Sequence, residues 1–101
     1  MYEIALTVAA CRRAGTRVDV AWLVDAEGFG DRDPSEAVAL TPGGGRVGAL
    51  LAGALDAQLA DVTRRLGDAG RFVTLAVADY EAAVVGLPSG GIARCLVAPA
   101  D

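Results

Sequence analysis

The chain has 101 residues, 53% of them hydrophobic, with nine arginines, no lysine, no histidine and a formal charge of −4. That length suits one domain over residues 1–101, able to bury about 65% of its unfolded surface, and the apolar content argues against disorder. Scattered arginines and a negative balance argue against a nucleic-acid partner, the missing histidine removes the usual general base and commonest metal ligand, and no uncharged apolar run approaches the ~18 residues of a membrane span.

Residues 3–14, EIALTVAACRRA, read as a first helix, because Ile4, Val8 and Cys11 share one face at i, i+4 and i+7. Arg12 and Arg13 suit its last turn and Gly15 its stop. Arg17–Asp25 reads as a strand in which Val18, Val20, Trp22 and Val24 alternate with Asp19, Ala21 and Leu23. Leu23 on the second side implies that this side is covered too, and a paired subunit in a homodimer would cover Ala21–Leu23. Ala26–Glu36 is a polar, solvated loop with no ligand set in its irregularly spaced acids. Ala37–Thr41 and Arg46–Leu51 read as short strands joined by Pro42-Gly43-Gly44-Gly45.

The best helix covers residues 53–66, on a stripe of Leu55, Leu59, Val62 and Leu66. Asp56 lies in its first turn, Arg64 and Arg65 in its last, and Gly67 stops it. Arg71–Ala78 is a third clear strand, Asp79–Glu81 a turn, and Ala82–Leu87 an apolar stretch too short to assign. Pro88-Ser89-Gly90-Gly91 is a second glycine turn, and Ile92–Ala98 is the last strand, stopped by Pro99. The sum is an α+β domain, a mixed sheet with two main helices packed on it. Cys11 and Cys95 form no metal motif and read as free core thiols, and acidic Glu3 precedes the apolar Ile4–Cys11 where a signal peptide would be basic. A reducing, cytoplasmic setting follows.

Gly43, Gly45 and Gly48 spell the dinucleotide fingerprint G-x-G-x-x-G. The fingerprint needs a strand entering a glycine turn that opens a helix, whereas here a strand intervenes, so a hairpin turn is the better reading. Gly53 and Ser89-Gly90-Gly91 both can present backbone N–H groups, as anion-binding nests do; equally, glycines there merely permit the turns. Ser89 lacks a histidine or lysine to activate it. Asp56 and Asp79 have no spacing that joins them as an acid–base pair. No side-chain metal site and no catalytic set is expected.

Gly48–Asp56, GALLAGALD, resembles the stretch G-S-V-S-G-G-C-L-E of the XdhC/CoxI family, and Gly86–Pro99, GLPSGGIARCLVAP, resembles its G-L-x-C-G-G-x-x-x-V-L-L-E-P. Val18–Val24 then corresponds to that family's first strand, and Gly28 falls in its T-x-G-S-x-P-R loop. The resemblance implies a stand-alone N-terminal-type domain of an accessory protein for xanthine or carbon monoxide dehydrogenase maturation. It implies a non-enzymatic module that binds the molybdenum cofactor transiently by its pterin phosphate, with Gly53, Asp56, Ser89, Gly90 and Gly91 as binding residues and a molybdoenzyme as partner. The family's two motif cysteines are Ala54 and Ser89 here, and its Ser-Gly pair is Leu51-Ala52. Those losses remove the thiolates suited to a soft metal or sulfur centre and leave a backbone phosphate site, or an interaction protein that kept the fold without the cofactor site. A small enzyme working with carboxylates is a third reading.

Overall fold

The computed structural model describes residues 2–30, 36–41 and 45–100. Residues 31–35 of the loop expected over Ala26–Glu36, and residues 42–44 of the expected hairpin turn, lie outside the described residues. The elements are α1 (Tyr2–Ala14), β1 (Asp19–Gly28), β2 (Ala37–Leu40), β3 (Arg46–Gly48), a 3-10 turn (Leu51–Gly53), α2 (Asp56–Arg64), β4 (Arg71–Val77), α3 (Asp79–Val84) and β5 (Gly91–Pro99). They build one sheet in the order β3-β2-β1-β5-β4.

The class is α+β. Each neighbouring pair of strands is antiparallel, where a mixed sheet was expected. The reason lies in the connections. α3 has six residues and rises about 9 Å, far short of the seven-residue β4 at ~3.4 Å per residue. The chain therefore re-enters the sheet at the end where it left, and β5 runs back against β4.

Alternation in β1 serves two cores. Ala21 and Leu23 point into the larger one, with Leu50, Leu51, Leu55, Leu59, Ala93, Cys95 and Val97. Val18 and Val20 point to the other side, where Ile4 of α1 packs with Ala37 and Ala39, and Val8, Cys11 and Trp22 flank them. The face of Ala21 and Leu23 is therefore sealed by the chain's own α2, which corrects the expectation that a paired subunit covers it. Leu55 and Leu59 are fully buried, Leu66 is buried and Val62 packs against the cluster from its margin, so the helical stripe does what its spacing implied. Each such leucine contributes about 1.5–3 kcal/mol by leaving water.

Boundaries differ from the expectation in four main places. β1 runs on to Gly28, where a loop was expected from Ala26, because Ala26, Glu27 and Gly28 pair with Ala93, Ile92 and Gly91 of β5. α2 starts at Asp56, because Leu51–Gly53 forms its own tight turn. β3 ends at Gly48, whose φ of 83° turns the chain out of the sheet. Asp79–Glu81 is the first turn of α3, where the Glu81 carboxylate accepts the Ala78 N–H at 3.0 Å.

Candidate functional site

The turn that leads into α2 is built from backbone that side chains rarely adopt. Leu51, Ala52 and Gly53 have φ of 51°, 56° and 90°, three left-handed residues in a row. Only Gly53 takes this conformation freely; the other two cost of order 1–3 kcal/mol each. Three contacts hold them. Leu51 is fully buried. Its N–H donates to Glu36 Oε2 at 2.8 Å. The N–H groups of Gly53 and Ala54 donate to the carbonyls of Leu50 and Leu51, both at 3.0 Å.

Beyond this turn a polar cleft of about 430 Å³ opens between α2 and the β1–β2–β3 end of the sheet, lined by Arg17, Asp19, Thr41, Arg46, Asp56, Thr63 and Arg64 among others. The sheet register sets most of it: Asp19 pairs with Leu40, which pairs with Arg46. Asp19 is almost wholly buried, at 3% exposure, and Arg17 Nε donates to its Oδ1 at 3.1 Å. Arg17 also donates through Nη2 to the Gly67 carbonyl, tying the strand to the end of α2. Arg46 Nε lies 3.1 Å from Asp56 Oδ2. The other oxygen, Asp56 Oδ1, is closed off from solvent and has no donor among the described residues. An acceptor left so costs about 1–3 kcal/mol. The cleft thus joins three guanidinium groups, two threonine hydroxyls and one orphaned carboxylate oxygen.

Gly53 and Asp56, two of the expected binding residues, belong to this end: a Cβ built on Gly53 would lie 3.2 Å from Asp56 Oδ2. Ser89, Gly90 and Gly91 belong to the other. Gly91 pairs with Val77 and with Gly28, whereas Asp56 reaches Arg46, in line with Asp19 and Pro99 at the far end of β5. Nine residues of β5, about 30 Å at ~3.4 Å each, separate those two rows. The cleft lined by Arg46 and Asp56 includes none of Ser89, Gly90 and Gly91, although Gln58 of α2 donates to the Ala76 carbonyl at 2.9 Å, one residue from the Val77 that pairs with Gly91. The turn's donors are also engaged: Gly90 N–H goes to Asp79 Oδ1 at 2.8 Å. A Cβ on Gly90 would stand 2.2 Å from the Val77 carbonyl oxygen, and one on Gly91 2.0 Å from that of Glu27. These glycines permit close backbone packing, the plainer of the two sequence readings.

Arg17, Thr41, Arg46 and Glu36 carry the site and were not singled out in the sequence. Arg46 and Asp56 meet only because β3 and the left-handed turn fold back on one another, and neither leaves a spacing to read.

Among the described residues no three histidine, cysteine, aspartate or glutamate side chains gather as metal ligands. Both cysteines are free, and burial pushes the Cys95 thiol up to about 11. No helix is long and apolar enough to cross a membrane. A crystal structure of a xanthine dehydrogenase from Bacillus halodurans superposes on 97% of this chain, with a TM-score of 0.70 and 20% identity. The chain spans 30% of that protein's length. At this identity the likeness is one of fold. No protein-family model matches the sequence, and neither does any curated protein.

Proposed function

We propose that this chain is a non-enzymatic accessory module of molybdoenzyme maturation, working in the cytoplasm on an enzyme of the xanthine or carbon monoxide dehydrogenase type. Its transient ligand is a phosphorylated pterin, taken up in the cleft beside α2. The observation that carries this reading is the Asp56 carboxylate, with one oxygen lacking a donor among the described residues and the other on Arg46. A pterin offers ring N–H donors to a carboxylate and a phosphate to guanidinium groups, so it matches both halves of that pair. Binding requires Asp56 to swing toward the cleft, which releases Arg46 to the phosphate, with Arg17 and Arg64 nearby. Ligation of the metal by protein thiolate does not fit, since Ala54 and Ser89 stand at the motif positions and no ligand cluster replaces them among the described residues. The fold shared with a structure described as a xanthine dehydrogenase supports the choice of partner class.

A second reading, an interaction protein that keeps the fold without a cofactor site, is favoured by one observation. The N–H groups of Gly53, Ala54 and Gly90 are all consumed within the chain, so the glycine turns offer an anion less than their composition suggests. Calorimetric titration separates the two. Phosphorylated pterin should give saturable heat, a nucleoside monophosphate little, and Arg46→Ala and Asp56→Asn should each weaken binding about tenfold or more, about 1.4 kcal/mol. No heat from wild type at millimolar pterin would leave the interaction reading standing.

A further inference from the structure

We propose that the outer edge of β4 pairs with β4 of a second copy, antiparallel about a twofold axis at Val73, so that two sheets join into one. The direction of the backbone groups follows from two bonds at the ends of β5. Phe29 N–H donates to the Gly90 carbonyl, and Ala100 N–H donates to that of Val18. Bonded pairs alternate along an antiparallel ladder. The even-numbered residues of β5 therefore turn their N–H and C=O to β1, and the irregularity after Leu23 lies in β1 and leaves that alternation intact. Gly91, Ala93, Cys95 and Val97 turn theirs to β4, where their partners are Val77, Leu75, Val73 and Arg71. That leaves Phe72, Thr74 and Ala76 with backbone groups pointing away from the sheet. The Ala76 carbonyl accepts a bond from Gln58 of α2 at 2.9 Å. No described residue bonds the backbone groups of Phe72 and Thr74.

Such an edge is ordinarily blunted by a proline, a bulge or charged side chains. β4, RFVTLAV, has its one charge at its first residue, and its register with β5 runs unbroken from Arg71 to Val77. Donors and acceptors alternating at strand spacing are matched by another extended strand. The arrangement of the open groups selects a copy of β4 as that strand. Phe72 and Thr74 flank Val73 symmetrically. With Val73 facing Val73, Phe72 of each copy exchanges both bonds with Thr74 of the other, and Ala76 keeps Gln58.

Closure points the same way. The opposite edge strand, β3, has three residues, so each copy brings one long edge and the pair closes instead of growing into a fibre. On the α1 side of the sheet Phe72, 55% exposed, then stands beside Thr74 of the other copy and diagonal to its Phe72, a separation that aromatic rings span. One strand pair is a small contact, below the ~1,200 Å² of standard interfaces, which makes the dimer a weak one. It is independent of the pterin reading, since the cleft lies at the β1–β2–β3 end of the sheet.

Cross-linking of the full chain tests it, in a Cys11→Ser background that leaves Cys95, fully buried, as the native thiol. A residue on the axis at a non-bonded position meets its copy at a Cα separation of about 4.5 Å, inside disulfide range. Under mild oxidation Val73→Cys should form a disulfide dimer about tenfold faster than Phe72→Cys or Thr74→Cys, whose copies stand ~7–8 Å apart. Leu6→Cys, exposed on α1, should be as slow as those two. Thr74→Pro removes an outward N–H, which an edge strand tolerates. With circular dichroism unchanged, it should raise the dissociation constant in sedimentation velocity at least about tenfold. If that variant does not fold, the cross-linking rates decide. Equal rates at the four positions overturn the proposal. So does a wild type that stays monomeric at ~500 µM, or a dimer indifferent to Thr74→Pro.

Discussion

One face of the sheet carries α2, α3 and the left-handed turn; the other carries α1 alone. On the first face Ala21, Val38, Leu50, Leu51, Leu55, Leu59, Ala93, Cys95 and Val97 have essentially no exposure. On the second, Phe72, Val24 and Ile92 remain about half exposed, and so does Leu6 on α1. The sequence patterns of the two layers are alike, with apolar residues at alternate positions of the strands and a helical stripe over them. What differs is coverage. Three elements close the first face, and one helix cannot close five strands. Alternation in a strand therefore reports that a side chain points to an apolar layer, and not that the chain itself completes the layer.

The largest expected effect tests that contrast directly. Leu59→Ala, in the sealed layer with no exposure, should cost roughly 2–5 kcal/mol in a denaturant melt. Phe72→Ala, on the open face, should cost less than about 1 kcal/mol when measured on the monomer, because it removes far less area from burial. Equal losses would show that the open face is closed in the isolated chain and erase the difference between the layers.

Much of the fold could be read from spacing. α1, β1, β4 and β5 and the Leu55–Leu66 stripe follow from periods of 3.6 and 2 that the residues keep for long enough to register. α3 spans six residues, less than two turns, so no helical period could appear in it. The left-handed turn was hidden for another reason. Leu51 and Ala52 have no turn signature, and their conformation comes from burial of Leu51 and from Glu36, fifteen positions away. At the site, Gly53 and Asp56 were legible as a helix start. Arg46 and Arg17 were not: Arg46 meets Asp56 only through the left-handed turn between β3 and α2, and Arg17 beside Asp19 is a charge pair two residues apart that by itself marks no cleft. Ser89-Gly90-Gly91 was legible as a turn, and the structure gives its glycines a packing reason in the carbonyls of Val77 and Glu27.

The two cysteines sharpen the comparison, because one lies in each layer. Cys95 is fully buried between the sheet and α2, and Cys11 is partly exposed under α1. A neutral aromatic-disulfide reagent should label Cys11 in the native protein within minutes and Cys95 only through unfolding. The raised thiol also gives a pH signature. Its value goes from 9.0 to about 11 on folding through desolvation. Below pH 9 both states hold the proton and stability is unaffected. From about 9 to about 11 the unfolded chain releases it and the folded chain does not, so stability falls with rising pH across that window and then levels. Cys95→Ala should remove that slope. A slope that persists in the variant assigns it to another group.

The smallest effect bears on why the sealed layer contains a strained turn at all. Ala52 has φ of 56° and ψ of 25°, a left-handed conformation that a Cβ opposes. Ala52→Gly removes the opposition and adds backbone freedom to the unfolded chain, two terms of opposite sign. The strain is the larger, so the variant should gain about 0.5–1 kcal/mol. One residue on, Gly53→Ala should go the other way. Its φ is 90°, and the new Cβ would press on Asp56 Oδ2 at 3.2 Å, the carboxylate that faces Arg46. Neighbouring positions with opposite signs would show that the turn is imposed by the burial of Leu51 and the bond to Glu36 against the preference of Ala52. A loss of stability in Ala52→Gly would mean that the alanine methyl packs well enough to offset its own strain. The pterin titration then becomes the decisive measurement on this variant: unchanged affinity places the ligand on side chains of the cleft, and altered affinity places it on the turn itself.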